Sequence, residues 1–186
     1  TEEVVSGDIH TANQKSAGLQ TRDQAKTFIY AFLYGAGSQK LGQVAGGGVR
    51  RGNILKKNFL DNTPALKKLR DKVTASSKKG WVTGLDGRKL HIRSQHASLN
   101  TLLQSAGAVI MKKALVLLDG YARLYNIDYK FVLNVHDEFQ CEVRDDQAEF
   151  FGGLAVGSIV RAGESFKLNC PLDGQYKVGK TWQQTH

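Results

Sequence analysis

Apolar residues recur at helical spacing in the first part of the chain. Thr21 and Gln24 form a capping-box pattern, in which two side chains satisfy the free backbone amides at the start of a helix. Glycines at positions 35 and 37 are typical of a helix end. The pattern therefore predicts a helix over residues 21–35, with an apolar face made of Ala25, Phe28, Ile29, Phe32 and Leu33.

Two further helices are predicted before residue 80. Residues 53–62 have a basic helical pattern and follow a loop of three glycines at positions 46–48. Thr63 before Pro64 is typical of an N-cap followed by the first helical position, and Gly80 would end this next helix. The beginning of the chain is therefore predicted to be a helical lobe.

Short strands and one long helix are predicted next. Residues 81–83 and 89–93 flank Gly84-Leu85-Asp86-Gly87, a pattern that indicates a hairpin. An apolar stripe from about residue 97 to residue 124 predicts a long helix. Residues 131–135 and 139–143 then predict two strands around the polar centre at 136–138.

A final helix is predicted over residues 146–160, with a short closing strand near residues 167–169. A helical lobe would then precede a lobe that mixes strands with helices. The fold class predicted for the whole chain is α+β.

Composition adds a positive charge and excludes several classes of protein. The chain of 186 residues carries a net charge of +9, which suits a polyanion such as nucleic acid but equally describes a solvated basic surface. Two cysteines form no disulfide framework, and a zinc site is not indicated. No apolar run of about 18 residues and no leader pattern are found, so neither a membrane span nor a secretory signal is predicted. We expect a cytoplasmic protein.

One face of the first predicted helix combines cations with aromatic rings. Arg22, Lys26, Tyr30 and Tyr34 recur every four residues, away from the apolar face. Arginine and lysine donate to phosphate oxygens, and a tyrosine can pack on a sugar or base. Such a face could hold a nucleoside triphosphate, although an amphipathic helix with solvated basic residues explains the same spacing.

The polar centre between the last two strands holds adjacent carboxylates. Asp137 and Glu138 follow His136 at a predicted hairpin turn. Carboxylate oxygens are the ligands that magnesium prefers, and phosphoryl transfer commonly uses two such ions. A polar turn without any function remains the alternative, because hairpin turns collect aspartate.

A polar stripe runs along the long helix on a face distinct from its leucines. His96, Asn100 and Gln104 are spaced by four residues. Amide side chains presented in this way can contact base edges or sugars, or can simply face solvent.

In their order along the chain, these segments resemble a known family. Residues 21–35 resemble motif B, the fingers helix of family A (polymerase I-like) DNA polymerases, and Val135-His136-Asp137-Glu138 resembles motif C. Residues 7–11, 84–88 and 96–107 resemble the family's other segments. The resemblance extends over essentially the whole chain and is greatest to replicative polymerases of short-tailed bacteriophages.

This resemblance implies a role for each candidate residue. His10, Arg22, Lys26 and Tyr30 would bind the incoming nucleotide, and Lys26 would also donate a proton to the departing pyrophosphate. Tyr30 would lie at the sugar, in the variant of this position that excludes dideoxynucleotides poorly. The residues expected to contact DNA are Tyr34, His96, Asn100, Gln104 and His136. Asp137 would be a catalytic metal ligand, with Glu138 as an auxiliary carboxylate.

The resemblance also implies what this sequence lacks. The motif A aspartate, which would share two magnesium ions with Asp137, is expected upstream of Gly7 and is not among residues 1–6. The chain begins with Thr1 rather than Met, so we expect a fragment, a processed product or one half of a split protein. Primer–template DNA, dNTP and an upstream polypeptide carrying motif A and the thumb are the expected partners.

Residues 1–80 would be the fingers subdomain and residues 81–186 the C-terminal part of the palm. A non-catalytic nucleic-acid-binding remnant of a polymerase is the alternative function. A single-subunit RNA polymerase is less favoured, because Tyr34-Gly35 and Glu138 are typical of the DNA enzymes.

Overall fold

The structure is a computed structural model and describes residues 7–185. The chain forms two compact units that meet in sequence between Gln104 and Ser105. The first unit is mainly helical, and the second contains a two-stranded antiparallel sheet with helices. This composition agrees with the predicted α+β class.

The first unit opens with two capped helices. Helix α1 (Ile9–Ala17) starts at Asp8, whose carboxylate accepts the backbone amides of His10 and Thr11, and it ends at Gly18 in the left-handed conformation. The sequence pattern did not predict this helix. Helix α2 (Arg22–Leu33) has both bonds of the capping box between Thr21 and Gln24, so the predicted helix start is confirmed.

The next two helices pack through glycines. Helices α3 (Ser38–Gln43) and α4 (Val49–Asn62) approach so closely that a Cβ on Gly52 would lie 1.8 Å from the Ser38 carbonyl oxygen. A Cβ on Gly42 would lie 2.0 Å from the Gly48 oxygen. Only glycine fits at these two positions. Helix α4 begins at Val49, directly after Gly48, which is four residues before the predicted start.

Helix α5 (Pro64–Ser77) follows with proline at its first position, as predicted. The Thr63 side chain makes no capping bond to α5. Its hydroxyl instead donates to the carbonyl oxygen of Phe59, 2.6 Å away. Thr63 therefore occupies the N-cap position without the capping chemistry that the sequence predicts.

An aromatic core holds helices α2, α3 and α4 together. The rings of Phe28 and Phe32 each meet the ring of Phe59 edge to face, with centroids 5.7 and 5.3 Å apart. All three rings are buried, and Leu41 and Leu55 complete the centre of the cluster. Helix α2 is thereby fixed on the side opposite its cationic face.

A small hairpin closes the first unit. Strands β1 (Trp81–Thr83) and β2 (Lys89–His91) pair antiparallel, with Val82 opposite Leu90, as predicted. Val82 and Ile92 are buried with Val73 of α5. A 3-10 turn (Gln95–Ala97) then leads into helix α6 (Ser98–Leu124), which confirms the long helix.

The second unit centres on a β-hairpin. Strands β3 (Tyr129–Val135) and β4 (Glu138–Val143) are antiparallel, as predicted, with a register shift between Phe131 and Leu133. Its core contains Leu118, Ile127 and Phe151.

The end of the second unit differs from the prediction. A 3-10 turn (Asp145–Gln147) precedes helix α7 (Ala148–Ser165), which extends five residues past the predicted end at residue 160. The closing strand predicted near residues 167–169 is wrong, because the chain turns sharply at Lys167, where φ is +52°. The chain then passes close to α7 and ends in a short helix α8 (Trp182–Thr185).

One helical segment, Gln95–Leu124, is long and apolar enough to cross a membrane by length and composition alone. The sequence prediction of no membrane span rested on the lack of an unbroken apolar run, and charged residues such as Lys112 and Lys113 interrupt this helix. Core helices of soluble proteins also pass this test, so it is weak evidence.

Candidate functional site

The cationic and aromatic side chains of α2 form one exposed face, as their spacing predicts. The ring of Tyr30 is 46% exposed, and that of Tyr34, just beyond the helix end, is 58% exposed. The two rings stack with centroids 6.4 Å apart. Lys26 is exposed on the same helix and has no ion pair with another residue in 7–185. The face therefore offers an ammonium group and a pair of rings to a ligand.

Arg22 at the start of this face is already paired. Its Nε donates to Asp8 Oδ2 at 2.9 Å, and its Nη2 donates to Asp8 Oδ1 at 3.3 Å. This hydrogen-bonded guanidinium holds the pKa of the Asp8 carboxyl well below its usual range. Asp8 thus has a structural role as the cap of α1 and the partner of Arg22, and a triphosphate would compete with it for the arginine.

His10 lies in the first turn of α1, beside this ion pair. Its backbone amide donates to Asp8, and its ring Nδ1 is buried without a hydrogen-bond partner among the described residues. A buried polar atom of this kind usually has a partner in the functional state. The structure therefore brings His10 and Arg22 together through one carboxylate.

The first residue of the polar stripe, His96, lies in the 3-10 turn before α6 rather than on the long helix itself, next to the tyrosine end of α2. A Cβ on Gly35 would lie 2.8 Å from the backbone oxygen of His96, and Gly35 has a φ of +80°. The segment that carries His96 therefore lies directly against the turn after Tyr34. Asn100 and Gln104 follow at one-turn intervals on the helix, half-buried and exposed respectively.

The second set of candidate residues lies at the β3–β4 turn. His136 and Asp137 form the turn, since Val135 pairs with Glu138. The φ of His136 is +54°, a conformation that costs a non-glycine residue about 1 kcal/mol. Such strain is often found at functional sites.

The two carboxylates at this turn have different surroundings. Asp137 is exposed, whereas Glu138 is half-buried and accepts a hydrogen bond from the side-chain amide of Gln140. Both carboxylates line a groove of about 1470 Å³ between β4, α7 and the end of the chain.

The donor chemistry of this turn fits magnesium in kind. Magnesium is commonly held by one or two carboxylates together with substrate phosphates. Asp137 and Glu138 can supply such oxygens. Within residues 7–185 no group of three metal-ligating side chains is found, so a third carboxylate would have to come from elsewhere.

Two residues at these sites were missed by the sequence prediction. The first of them is Asp8, whose partnership with Arg22 was not predicted. The pattern of Asp8 before Thr11 at a helix start could have indicated the cap. Gln140 could have been found from strand periodicity, because residues two apart on a strand lie on the same face as Glu138.

Comparison with known proteins decides the family. Residues 4–184 match the model of DNA polymerase family A. The chain belongs to this family. It is 42% identical to a DNA-directed DNA polymerase of Enterobacteria phage T3 and 42% identical to one of Escherichia phage T7, over 99% of its own length. The predicted family is confirmed.

This family A chain spans only 29% of the length of each of those two phage polymerases. A DNA-directed DNA polymerase of Escherichia phage Phieco32 is 40% identical over 98% of the chain. Among solved structures, the POL domain of Pol1 from M. smegmatis, in complex with a DNA primer-template and dNTP, matches with a TM-score of 0.74. That match covers 83% of this chain and 31% of the other, at 20% identity, and shows a shared fold.

Proposed function

We propose that this chain carries part of the active site for template-directed DNA synthesis, as the C-terminal fingers and palm portion of a family A polymerase. The observation that carries the proposal is the exposed Asp137 on a strained hairpin turn, in a chain that matches the family over residues 4–184. Residues 1–80 would belong to the fingers and residues 81–186 to the palm.

The α2 face would bind the incoming dNTP. Lys26 is exposed and unpaired among the described residues, so its ammonium group can contact the triphosphate and give a proton to the departing pyrophosphate. Arg22 would exchange Asp8 for a phosphate, and the buried Nδ1 of His10 would gain a partner. Tyr30 would pack at the sugar.

The adjoining residues would hold the DNA. Tyr34 would lie by the templating base, and the nearby stripe of His96, Asn100 and Gln104 would contact the primer–template end through its minor groove. Acceptors in that groove are shared by all correct base pairs, so these contacts can check geometry without reading sequence. His136 would lie by the primer terminus.

At the β3–β4 turn, Asp137 and Glu138 would hold Mg²⁺, whose charge supplies activation of the primer hydroxyl and stabilisation of the phosphates when it is bound. In the reaction, the primer 3′ oxygen forms a bond to the α-phosphate while the bond to pyrophosphate breaks. The hydroxyl proton passes from the primer to solvent water, and Lys26 gives a proton to the leaving group.

We propose that a second polypeptide supplies the remaining ligand, thumb and motif A. The described residues offer two adjacent carboxylates at the turn and no third metal ligand. The phage relatives are more than three times as long as the matched region. Without such a partner, the chain would bind nucleic acid and not extend a primer, which is the behaviour of the alternative, non-catalytic remnant.

Primer extension tests the proposal. The chain is combined with the polypeptide that supplies the rest of the polymerase domain, and single-turnover incorporation is measured with magnesium. We expect Asp137→Ala to lower the rate by at least about a thousandfold, as removal of a catalytic group does.

The matched control is Asp128→Ala, an exposed aspartate at the other end of β3. It removes the same charge and should extend like the unmodified chain. Equal extension by the Asp137→Ala and unmodified chains would refute the catalytic role. DNA binding without any extension by the combined polypeptides would favour the remnant.

A further inference from the structure

Positive charge is concentrated in one part of the first unit. Residues 64–93 contain nine lysines and arginines but only two aspartates and no glutamate. The same segment forms helix α5 and the β1–β2 hairpin, which share a buried cluster of Val73, Val82 and Ile92. The helix and the hairpin therefore present their charges from one supported surface. None of these residues belongs to the proposed polymerase site.

A small cavity lies between α5 and β1 on this surface. It has a volume of about 150 Å³, and valine and leucine side chains form its apolar part. Its polar lining consists of two lysines and two hydroxyl residues: Lys72, Ser76, Lys79 and Thr83. Four hydrogen-bond donors, two of them cationic, thus converge on a space large enough for one phosphate group.

These four side chains have no anionic or hydrogen-bonding partner among residues 7–185. Within residues 7–185, neither Lys72 nor Lys79 forms an ion pair, and the hydroxyls of Ser76 and Thr83 make no hydrogen bond. Neighbouring cations behave differently: Lys67 pairs with Asp61 at 3.1 Å, and Arg88 pairs with Asp86 at 2.6 Å. The two lysines of the cavity are therefore among the cations of this surface that no carboxylate of the described residues neutralises.

Trp81, the neighbour of the lining residue Val82 on β1, contacts one lysine of the cavity and one lysine of the hairpin. Lys79 Nζ lies 3.8 Å from the ring centroid of Trp81, and Lys89 Nζ lies 4.8 Å from the same ring. Cation–π contacts restrict where both ammonium groups can be. Two like charges beside one ring repel each other, and an anion bound at Lys79 would reduce that repulsion.

We propose that this cavity is a phosphate-binding subsite for the backbone of single-stranded DNA. The unneutralised charges continue from it along α5, which has 14 residues and a length of about 21 Å, and along the hairpin. Such a line of cations matches the repeated phosphates of a polymer better than a single small anion. A flexible single strand can place a phosphate into a small concave site, whereas a rigid duplex cannot bend its backbone into it.

Binding of a fluorescent dT20 oligonucleotide, followed by anisotropy over a salt series, tests this subsite. We expect the double variant Lys72→Gln, Lys79→Gln to bind about tenfold more weakly at low salt, with a log–log salt slope shallower by about 1.4, because two phosphate contacts are lost. The matched control is Lys40→Gln, Lys112→Gln, which removes two exposed lysines from other surfaces. It should change affinity less than about twofold.

Two further variants distinguish a specific phosphate site from general electrostatic attraction to the basic surface. Lys72→Arg, Lys79→Arg should keep the salt slope, and Ser76→Ala, Thr83→Val should weaken binding a few-fold without changing that slope. Circular dichroism confirms that each variant retains its helices.

Three outcomes would overturn the proposal. The first is an equal loss of dT20 affinity in the Lys72→Gln, Lys79→Gln variant and in its Lys40→Gln, Lys112→Gln control. The second is displacement of dT20 by poly-glutamate as effectively as by unlabelled dT20, which would assign the surface to an acidic protein. The third is displacement by low millimolar inorganic phosphate, which would assign the cavity to a small anion. The test does not require primer extension, so it stands apart from the polymerase proposal.

Discussion

The two units support their functional side chains in different ways. In the first unit, the cationic face of α2 stands on a buried core of Phe28, Phe32 and Phe59, and its start is fixed by a complete capping box. In the second unit, Asp137 lies at the tip of a hairpin whose strand β3 is largely exposed, with Val132 65% exposed.

This difference indicates which part of the site is complete. The α2 face has its own core within the first unit. Strand β3 exposes apolar residues over most of its length, including Phe131, Leu133 and Val135. Apolar strands of this kind are normally paired or covered. The exposure supports the proposed second polypeptide, which would cover β3 and complete the carboxylate set.

The largest effect is expected in the aromatic core of the first unit. Phe28→Ala should lower the free energy of unfolding by about 3–5 kcal/mol, because the ring is fully buried. Urea denaturation followed by Trp81 fluorescence in a Trp182→Phe background measures this unit, since the chain has one tryptophan in each unit. Phe150→Ala, at an exposed ring of the second unit, is the control. A similar loss of unfolding free energy in Phe28→Ala and Phe150→Ala would contradict the difference between the two units.

The glycine contact between α3 and α4 should be the next most sensitive position. Gly52→Ala should cost about 1–3 kcal/mol, because its Cβ would meet the backbone of Ser38. Gly107→Ala in α6 meets nothing within 4 Å and should stabilise its helix by about 0.5–1 kcal/mol. Thermal unfolding by circular dichroism measures both variants. If Gly52→Ala were as stable as the unmodified chain, the close packing of α3 on α4 would be contradicted.

Removing the cap of α2 should cost less. Thr21→Ala loses the side-chain bond to the Gln24 amide, and we expect a loss of about 1 kcal/mol. Thr21→Ser keeps an accepting oxygen and should restore most of the stability. If alanine and serine behave alike in urea denaturation, the capping box does not support this face.

The Asp8–Arg22 pair should tune nucleotide binding. Asp8→Asn retains a capping side chain but releases the arginine, so we expect dNTP affinity to rise by about two- to fivefold. Arg22 holds the pKa of Asp8 well below its usual range, so the carboxylate stays charged at both pH 5 and pH 8. The pair would be lost only as the pH falls through that lowered pKa. The increase should therefore be the same at both pH values, and a decrease in affinity would show that Asp8 positions Arg22 for the ligand.

The smallest effect is expected on the exposed strand. Val132→Thr should change the free energy of unfolding by less than about 0.5 kcal/mol, because the side chain is in solvent. Val82→Thr, at a buried position of β1, should cost about 1–3 kcal/mol. If urea denaturation shows that Val132→Thr and Val82→Thr lower the free energy of unfolding equally, β3 is covered within this chain.

The sequence predicted the features that depend on neighbouring residues. The capping box at Thr21 and the two strands on either side of residues 136–137 follow from local chemistry, and both formed as expected. Helix α1 was missed because Ile9–Ala17 has few apolar residues, so its cap at Asp8 stood without a periodic stripe. The strand predicted near residues 167–169 does not form, because the chain turns at Lys167.

Contacts between distant segments could not be predicted from one sequence. The pairing of Asp8 with Arg22 spans 14 residues and exists only once α1 and α2 pack together. The close approach of Gly52 to Ser38 likewise depends on how α3 crosses α4. The candidate residues of the α2 face and of the β3–β4 turn were identified from their types and their order in the sequence. The partner of Arg22 could be identified only from the folded structure.

Equilibrium binding of a dNTP to this chain alone, in the presence of magnesium, tests the division between the two regions most directly. We predict that Lys26→Ala weakens binding by at least about tenfold, because a charge-assisted bond to phosphate is lost. Asp137→Ala should leave the affinity within about twofold, since the carboxylate set is incomplete among the described residues. Equal weakening by both variants, or no effect of Lys26→Ala, would contradict a nucleotide-binding face that is complete in the first unit.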